Sequence, residues 1–296
     1  MRVDGTTPLW IAARALLYEL EEDFFQLREE VLKSFGPEEI HDLRVASRRL
    51  REGLFLFAPC YPIEGIKRLA KSLKRMTRLL GNIRNTDEAF LFFTVLKEEA
   101  GPELGVEVGK VIDTFRKKRK EEMKVLKTGL GKKVSTPLRD LFRRVVNSPS
   151  LFAPLENDVD LFDSVSKFAG EALEARLAEV QKLLPEACER VNVESQHLLR
   201  IAVKHFRYRL EILSFIVVDR YEDVHGALKS YQDILGKMHD LDVFSEIILD
   251  AGFPEQTEKA LLDTIAAKRD NLFDEFSSML ENMPFAKIGA QLGCIL

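Results

Sequence analysis

Two short stretches of this chain line up side chains suited to holding phosphate oxygens. In the first, His41, Arg44, Arg48 and Arg51 recur at spacings of three and four, with Arg49 beside them. In the second, His197, Arg200, Lys204 and Arg207 repeat the pattern. On a helix advancing about 100° per residue, each set falls in one narrow band. The apolar residues between them (Leu43, Ala46, Leu50, Leu54 and Phe57; Leu199, Ala202, Phe206, Leu210 and Leu213) fall on another face. Solvated helix faces usually interleave acids with bases, because like charges at i,i+4 repel. These bands carry almost no acids. Rows of cations that cost stability in the free protein predict an anionic ligand. The planar fork of arginine fits phosphate geometrically, and lysine adds point charge.

Further cations extend the pattern. Lys67, Lys71, Lys74 and Arg78 share a stripe, and Arg84, Lys118, Arg119, Lys229 and His239 follow in the matching segments of the two halves. Histidines and carboxylates together can bind metals, and His41, His197 and His239 with Asp87, Asp240 and Asp242 could in principle supply such a set. No HExxH or comparable close spacing occurs, however, and the neighbouring arginines oppose a cation. No metal and no cofactor are expected. Asp87 and Asp242 are read as helix caps or partners that position arginines, and no Ser/His/Asp or Cys/His constellation suggests catalysis. Gly129-Leu130-Gly131-Lys132-Lys133 lacks the spacing of a phosphate loop.

The elements that must carry these residues read as helices nearly throughout. Thr7-Pro8 predicts a capping residue followed by proline at the first helical position. The first helix runs from there and stops before Gly36-Pro37. A second spans Glu38 to Phe57, and a third spans Glu64 to Leu80 and ends at Gly81. A fourth runs from near Thr86 to Gly101-Pro102, and a basic helix follows to about Leu126. The stretch from Gly129 to Leu155 reads as a connector with one short amphipathic piece, Leu138 to Val146. The order then restarts at Asp158.

Direct comparison shows why it restarts. HDLRVASRRLREGLFLF, from His41 to Phe57, aligns with HLLRIAVKHFRYRLEIL, from His197 to Leu213. LLGNIRNTD (Leu79 to Asp87) aligns with ILGKMHDLD (Ile234 to Asp242), and Lys118-Arg119 with Lys268-Arg269. Matches in the same order at nearly constant offset are the mark of an internal duplication. The pattern His-x-x-Arg-Val-x-x-Arg-Arg-Leu-Arg, followed by Leu-Gly-x-x-Arg-Asn-x-Asp, resembles the CHAD family, named for conserved histidines in an α-helical domain. The resemblance implies an all-α fold of two four-helix-bundle-like repeats related by internal pseudo-two-fold symmetry. It also implies a basic central cavity or groove that binds inorganic polyphosphate, often beside polyphosphate granules. The positions that carry this across are His41, Arg44, Arg48, Arg49 and Arg51, then His197, Arg200, Lys204 and Arg207. The expected organisation is a first bundle over residues 1–128, a connector over 129–157 and a second bundle over 158–296.

Composition sets the outer bounds. The chain has 296 residues, 46% of them hydrophobic and 31% charged, which suits a soluble globular protein. Its formal net charge of −4 conceals the local basic bands. Cys60, Cys188 and Cys294 stand far apart and form no CxxC pair, which fits a reducing compartment. No segment is apolar for long enough to cross a bilayer, so a cytoplasmic protein without membrane contact is expected. The expected function is non-catalytic polyphosphate binding, with granules or polyphosphate-metabolising enzymes as associates. A metal-dependent phosphohydrolase and a nucleic-acid-binding helical protein are the alternatives.

Overall fold

A computed structural model describes residues 3–99, 102–151, 159–217 and 220–293. Almost all of them are helical. Among the described residues there is no strand, only an isolated bridge between Pro8 and Ser164. The chain divides into two compact units, one built mainly from residues 7–164 and the other mainly from 165–296.

The first unit contains α1 (Leu9–Ser34), α2 (Pro37–Leu56), α3 (Ile63–Glu99), α4 (Pro102–Gly129) and α5 (Lys132–Val146), with a 3-10 turn over Ala58–Cys60. Helix α1 packs on α2, α2 on α3, and α3 on both α4 and α5. The second unit repeats that order. Its helices are α6 (Val165–Ala187), α7 (Val193–Ile212), α8 (Tyr221–Asp250), α9 (Glu255–Asn282) and α10 (Phe285–Gly293). Here α6 packs on α7, α7 on α8, α8 on α9, and α10 on α6 and α8.

The helix starts differ in how they are capped. Helix α2 opens with Pro37 in its first turn, followed by Glu38 and Glu39, whose charges suit the positive end of the helix dipole. Asn192 caps α7, its side-chain oxygen accepting from the Ser195 amide at 3.1 Å. At α1 the expected cap is displaced by tertiary bonds. Pro8 occupies the capping position with no side-chain cap, and Leu9 and Trp10 donate their amides to the carbonyls of Asp163 (2.9 Å) and Leu161 (3.1 Å). These bonds satisfy donors that Thr7 would otherwise serve. At its other end α1 stops on Phe35, which takes a left-handed conformation (φ 52°) and returns its amide to the Val31 carbonyl.

Two features depart from the expected boundaries. The break expected at Gly81 is absent, because that glycine lies inside the continuous helix α3, and its counterpart Gly236 likewise lies inside α8. Glycine lowers helix stability by only about 1 kcal/mol, and packing along the whole length outweighs that. Secondly, the amphipathic piece inside the expected connector is the helix α5, and it packs into the first unit. Phe142 meets Tyr18 edge-on with ring centroids 6.0 Å apart, and Val145 lies against Gly65. Arg139 pairs with the buried Glu21 at 2.7 Å. The buried Arg28 donates its Nε to the Leu130 carbonyl at 2.9 Å and pins the turn that leads into α5. In the second unit α10 occupies the corresponding place in helix order, packed on α6 and α8. Residues 152–157 of the expected connector and Cys294 lie outside the described residues.

Each core is formed by the apolar faces read from sequence. Leu43, Ala46, Leu50, Leu54 and Phe57 are buried in the first unit, as are Leu199, Ala202, Phe206, Leu210 and Leu213 in the second.

Candidate functional site: two matched basic helix faces

With its apolar face fixed inward, α2 turns its basic band to the boundary between core and solvent. His41, Arg44, Arg48, Arg49 and Arg51 are all half-buried. The corresponding residues of α7 (His197, Arg200, Lys204 and Arg207) are half-buried as well. Partial burial distinguishes these bands from ordinary solvated stripes, whose cations extend freely into water. The Nε atoms of Arg44, Arg51 and Arg200 are fully buried. That of Arg51 has no hydrogen-bond partner. Burial lowers the affinity of the Arg51 guanidinium for its proton, and the neighbouring Arg48 lowers it further.

The remaining cations fall into two groups. Lys71, Lys74, Arg78, Lys118 and Lys229 are exposed, and among the described residues none of them forms an ion pair. Lys67 is exposed and reaches Glu64 at 3.2 Å. The others are held by carboxylates. Arg84 pairs with Glu88 at 2.9 Å, and Arg207 pairs with Glu211 at 2.7 Å while also donating to Gln232 at 3.0 Å. His225 meets the same Glu211 oxygen at 2.9 Å, so Arg207 belongs to a partly buried network of its own. Only 11% of the Arg207 side chain is accessible, which leaves it little surface to offer a ligand.

One arrangement occurs in both units. Arg119 on α4 donates its Nε to Asp87 on α3 at 2.5 Å, and Arg269 on α9 does the same to Asp242 on α8 at 2.5 Å. Of the two readings of these aspartates, positioning of an arginine matches the geometry. Capping does not, since both lie well inside helices. In the second unit the clamp extends to the end of the basic band. Arg269 also donates to Gln196 Oε1 at 2.6 Å, and Gln196 donates its amide to the Glu189 carbonyl at 2.8 Å. Gln196 directly precedes His197, so the clamp fixes the turn of α7 that carries the histidine. Sequence reading missed Gln196. Its only signal was its place beside a motif histidine.

His197 and His239 come together across α7 and α8, with Nδ1 atoms 3.1 Å apart. Both titrate below the ordinary imidazole range. Burial is the main cause for each, followed by the positive charge of Arg200, and Lys204 adds to it. His239 is held down to about 4, while Asp242 partly offsets the effect on His197. The residue of the first copy that aligns with His239 is Arg84, so this pair has no counterpart there. Among the described residues, no group of three or more His, Cys, Asp or Glu side chains could hold a metal ion.

The charge around the matched faces is unequal. Residues 63–146, which form α3 to α5, contain 21 Lys and Arg against 11 Asp and Glu. Residues 221–282, which form α8 and α9, contain 5 against 14. The surplus of fixed positive charge therefore belongs to the first unit.

These features define an all-α protein of two helical units, each with a half-buried basic face on its second helix. Comparison with known families places it more narrowly. A family model for the CHAD domain matches residues 15–249, and the chain belongs to that family. It is similar to the crystal structure of the CHAD domain from the plant Ricinus communis, with a TM-score of 0.56 and 22% identity over 100% of this chain and 95% of that one. It is also similar to PptA from Streptomyces chartreusis, with a TM-score of 0.66 and 14% identity over 93% of this chain and 99% of that one. At these identities the likeness concerns the fold. Comparison with curated proteins gives no match. No helix among the described residues is long and apolar enough to cross a membrane.

Proposed function

We propose that this protein binds inorganic polyphosphate through the basic faces of α2 and α7 and performs no chemistry on it. The observation that carries this reading is the pair of matched arginines, Arg44 and Arg200, each with a buried Nε and each in a row of half-buried cations. A cation half-removed from water is costly to the free protein, and a ligand with closely spaced negative charges offsets that cost. His41, Arg48, Arg49 and Arg51 act with Arg44 on one face, and His197 and Lys204 act with Arg200 on the other. The exposed Lys67, Lys71, Lys74, Arg78, Lys118 and Lys229 draw the polymer in and follow its backbone. Arg84, Arg119 and Arg207, each tied to a carboxylate, contribute mainly by holding the frame. In this reading the protein works in the cytoplasm, beside polyphosphate granules or polyphosphate-metabolising enzymes.

Competition binding tests this, with long-chain polyphosphate set against DNA, RNA, ATP and orthophosphate over a range of salt. Polyphosphate should displace the others, because one chain with many equivalent charges can engage several cations at once. Equal affinity for orthophosphate and for the long chain, or a preference for nucleic acid, overturns the reading. Incubation with Mg²⁺, Mn²⁺ or Zn²⁺ should release no phosphate. Turnover lost on His41→Ala or Asp242→Asn would make the protein an enzyme.

A further inference from the structure

The contact between His197 and His239 constrains how many protons the two rings can hold. Their Nδ1 atoms are 3.1 Å apart and their ring centroids 4.4 Å apart. Two imidazole nitrogens approach so closely when one bears a hydrogen and the other a lone pair. On that inner edge the pair therefore carries one hydrogen. Each ring has its second nitrogen, Nε2, away from the contact. In the uncharged pair the ring that donates at Nδ1 has a bare Nε2, and the other ring carries its hydrogen there. One added proton fits, on the bare Nε2, and the inner hydrogen bond survives. A second would put hydrogens on both Nδ1 atoms and break the contact.

The groups facing the pair decide when that proton is held. From α7 come Arg200 and Lys204, both cationic, and from α8 comes Asp242, which acts on His197. Arg269 of α9 pairs with Asp242 and so diverts much of its negative charge, and Glu186 of α6 is engaged by the Ser195 hydroxyl at 2.9 Å. Partial burial and the two α7 cations outweigh Asp242 and lower the affinity of both rings for protons in the free protein. A polyanion laid on Arg200 and Lys204 reverses that balance. It also supplies oxygens for which a bare Nε2 is a poor neighbour and an Nε2–H a good one.

We propose that the His197–His239 pair is a one-proton acceptor, taking up a single proton from solvent when polyphosphate occupies the α7 face. Binding at this face is then strengthened by acid. The face on α2 has Arg84 where the second histidine would stand, so it has no such pair and lacks this paired response. The inference rests on the proposed polyphosphate function, and its test separates the two. Long-chain polyphosphate is the suitable probe, because its internal phosphates stay ionised throughout and only the chain ends titrate near neutrality.

Calorimetry at about pH 6.5, in buffers of different ionisation enthalpy, reads the protons taken up. The expected result is uptake approaching one proton per protein that depends on the pair, with affinity rising by up to about tenfold per pH unit as pH falls. His197→Gln and His239→Gln should each remove most of that uptake. Should either variant fail to fold, nitrogen-15 imidazole spectra of the wild-type protein decide. In the complex one ring of the pair should show the charged pattern. Binding that leaves both rings neutral, or uptake undiminished in both variants, overturns the inference and leaves polyphosphate binding intact. Absence of binding at every pH overturns both.

Discussion

At the scale of the residue, the same side-chain types serve two purposes, and their partners tell them apart. Arg207, Arg119 and Arg269 are satisfied by carboxylates of their own unit, whereas Arg51 is half-buried with an unpartnered Nε. Arg44→Ala and Arg200→Ala, each removing a half-buried cation from a basic face, should weaken polyphosphate binding, each lost charge-assisted bond costing on the order of 1.5–3 kcal/mol. Melting temperature should stay level or rise slightly, because the neighbouring cations repel one another less. Leu50→Ala and Phe206→Ala, on the packed faces, should do the reverse and lower stability by roughly 2–5 kcal/mol. Thermal melts beside titrations of polyphosphate separate the two effects. If the arginine variants unfold while the folded fraction binds normally, the basic faces are structural. Acid titration of the free protein gives a second check. His197 and His239 bind protons more weakly when folded than when unfolded, so their contribution to stability is present above the ordinary imidazole range. It is lost as pH falls from about 6.5 towards the depressed values. Melts from pH 7 down to 5 should show a decline that His239→Gln reduces.

At the scale of the element, periodicity showed where helices lie better than where they end. The basic and apolar faces of α2 and α7 were legible because a 3.6-residue period separates them cleanly. The continuity of α3 and α8 was not, since a glycine carries the same local signal whether it ends a helix or sits within one. Its surroundings decide, and a side chain added at Gly81 or Gly236 would meet nothing within 4 Å. Gly81→Ala and Gly236→Ala should accordingly stabilise the protein by about 0.5–1 kcal/mol each, readable by denaturant titration. The role of α5 was hidden for a related reason. Its short apolar run, Leu138 to Val146, looks the same on a linker as on a helix that closes a bundle. Only the bonds from Arg28, Glu21 and Tyr18, distant in sequence, show which it is. The contact of His197 with His239 was likewise invisible, because 42 residues separate the two rings.

At the scale of the whole molecule, the all-α class and the family were legible, because a sequence motif needs no knowledge of packing. The net charge of −4 was the misleading quantity, because it hides a strongly basic segment and a strongly acidic one that nearly cancel. Log affinity for polyphosphate should fall steeply with log salt, as it does for nucleic-acid polyanions, despite that overall sign. Each Arg or Lys removed from a basic face should flatten the slope by about one unit or slightly less. Fluorescence titrations at several ionic strengths read this directly, and a salt-independent affinity would indicate a small-molecule site instead. The opposed charges of residues 63–146 and 221–282 reach further than the ligand. They make the protein a patchy colloid whose behaviour its isoelectric point does not describe. In dilute buffer the cationic segment of one copy attracts the anionic segment of another, and turbidity or light scattering should rise. Near physiological ionic strength, where screening acts over about 8 Å, the solution should clear. An acidic protein by its isoelectric point, it should still be retained by phosphocellulose as well as by an anion exchanger.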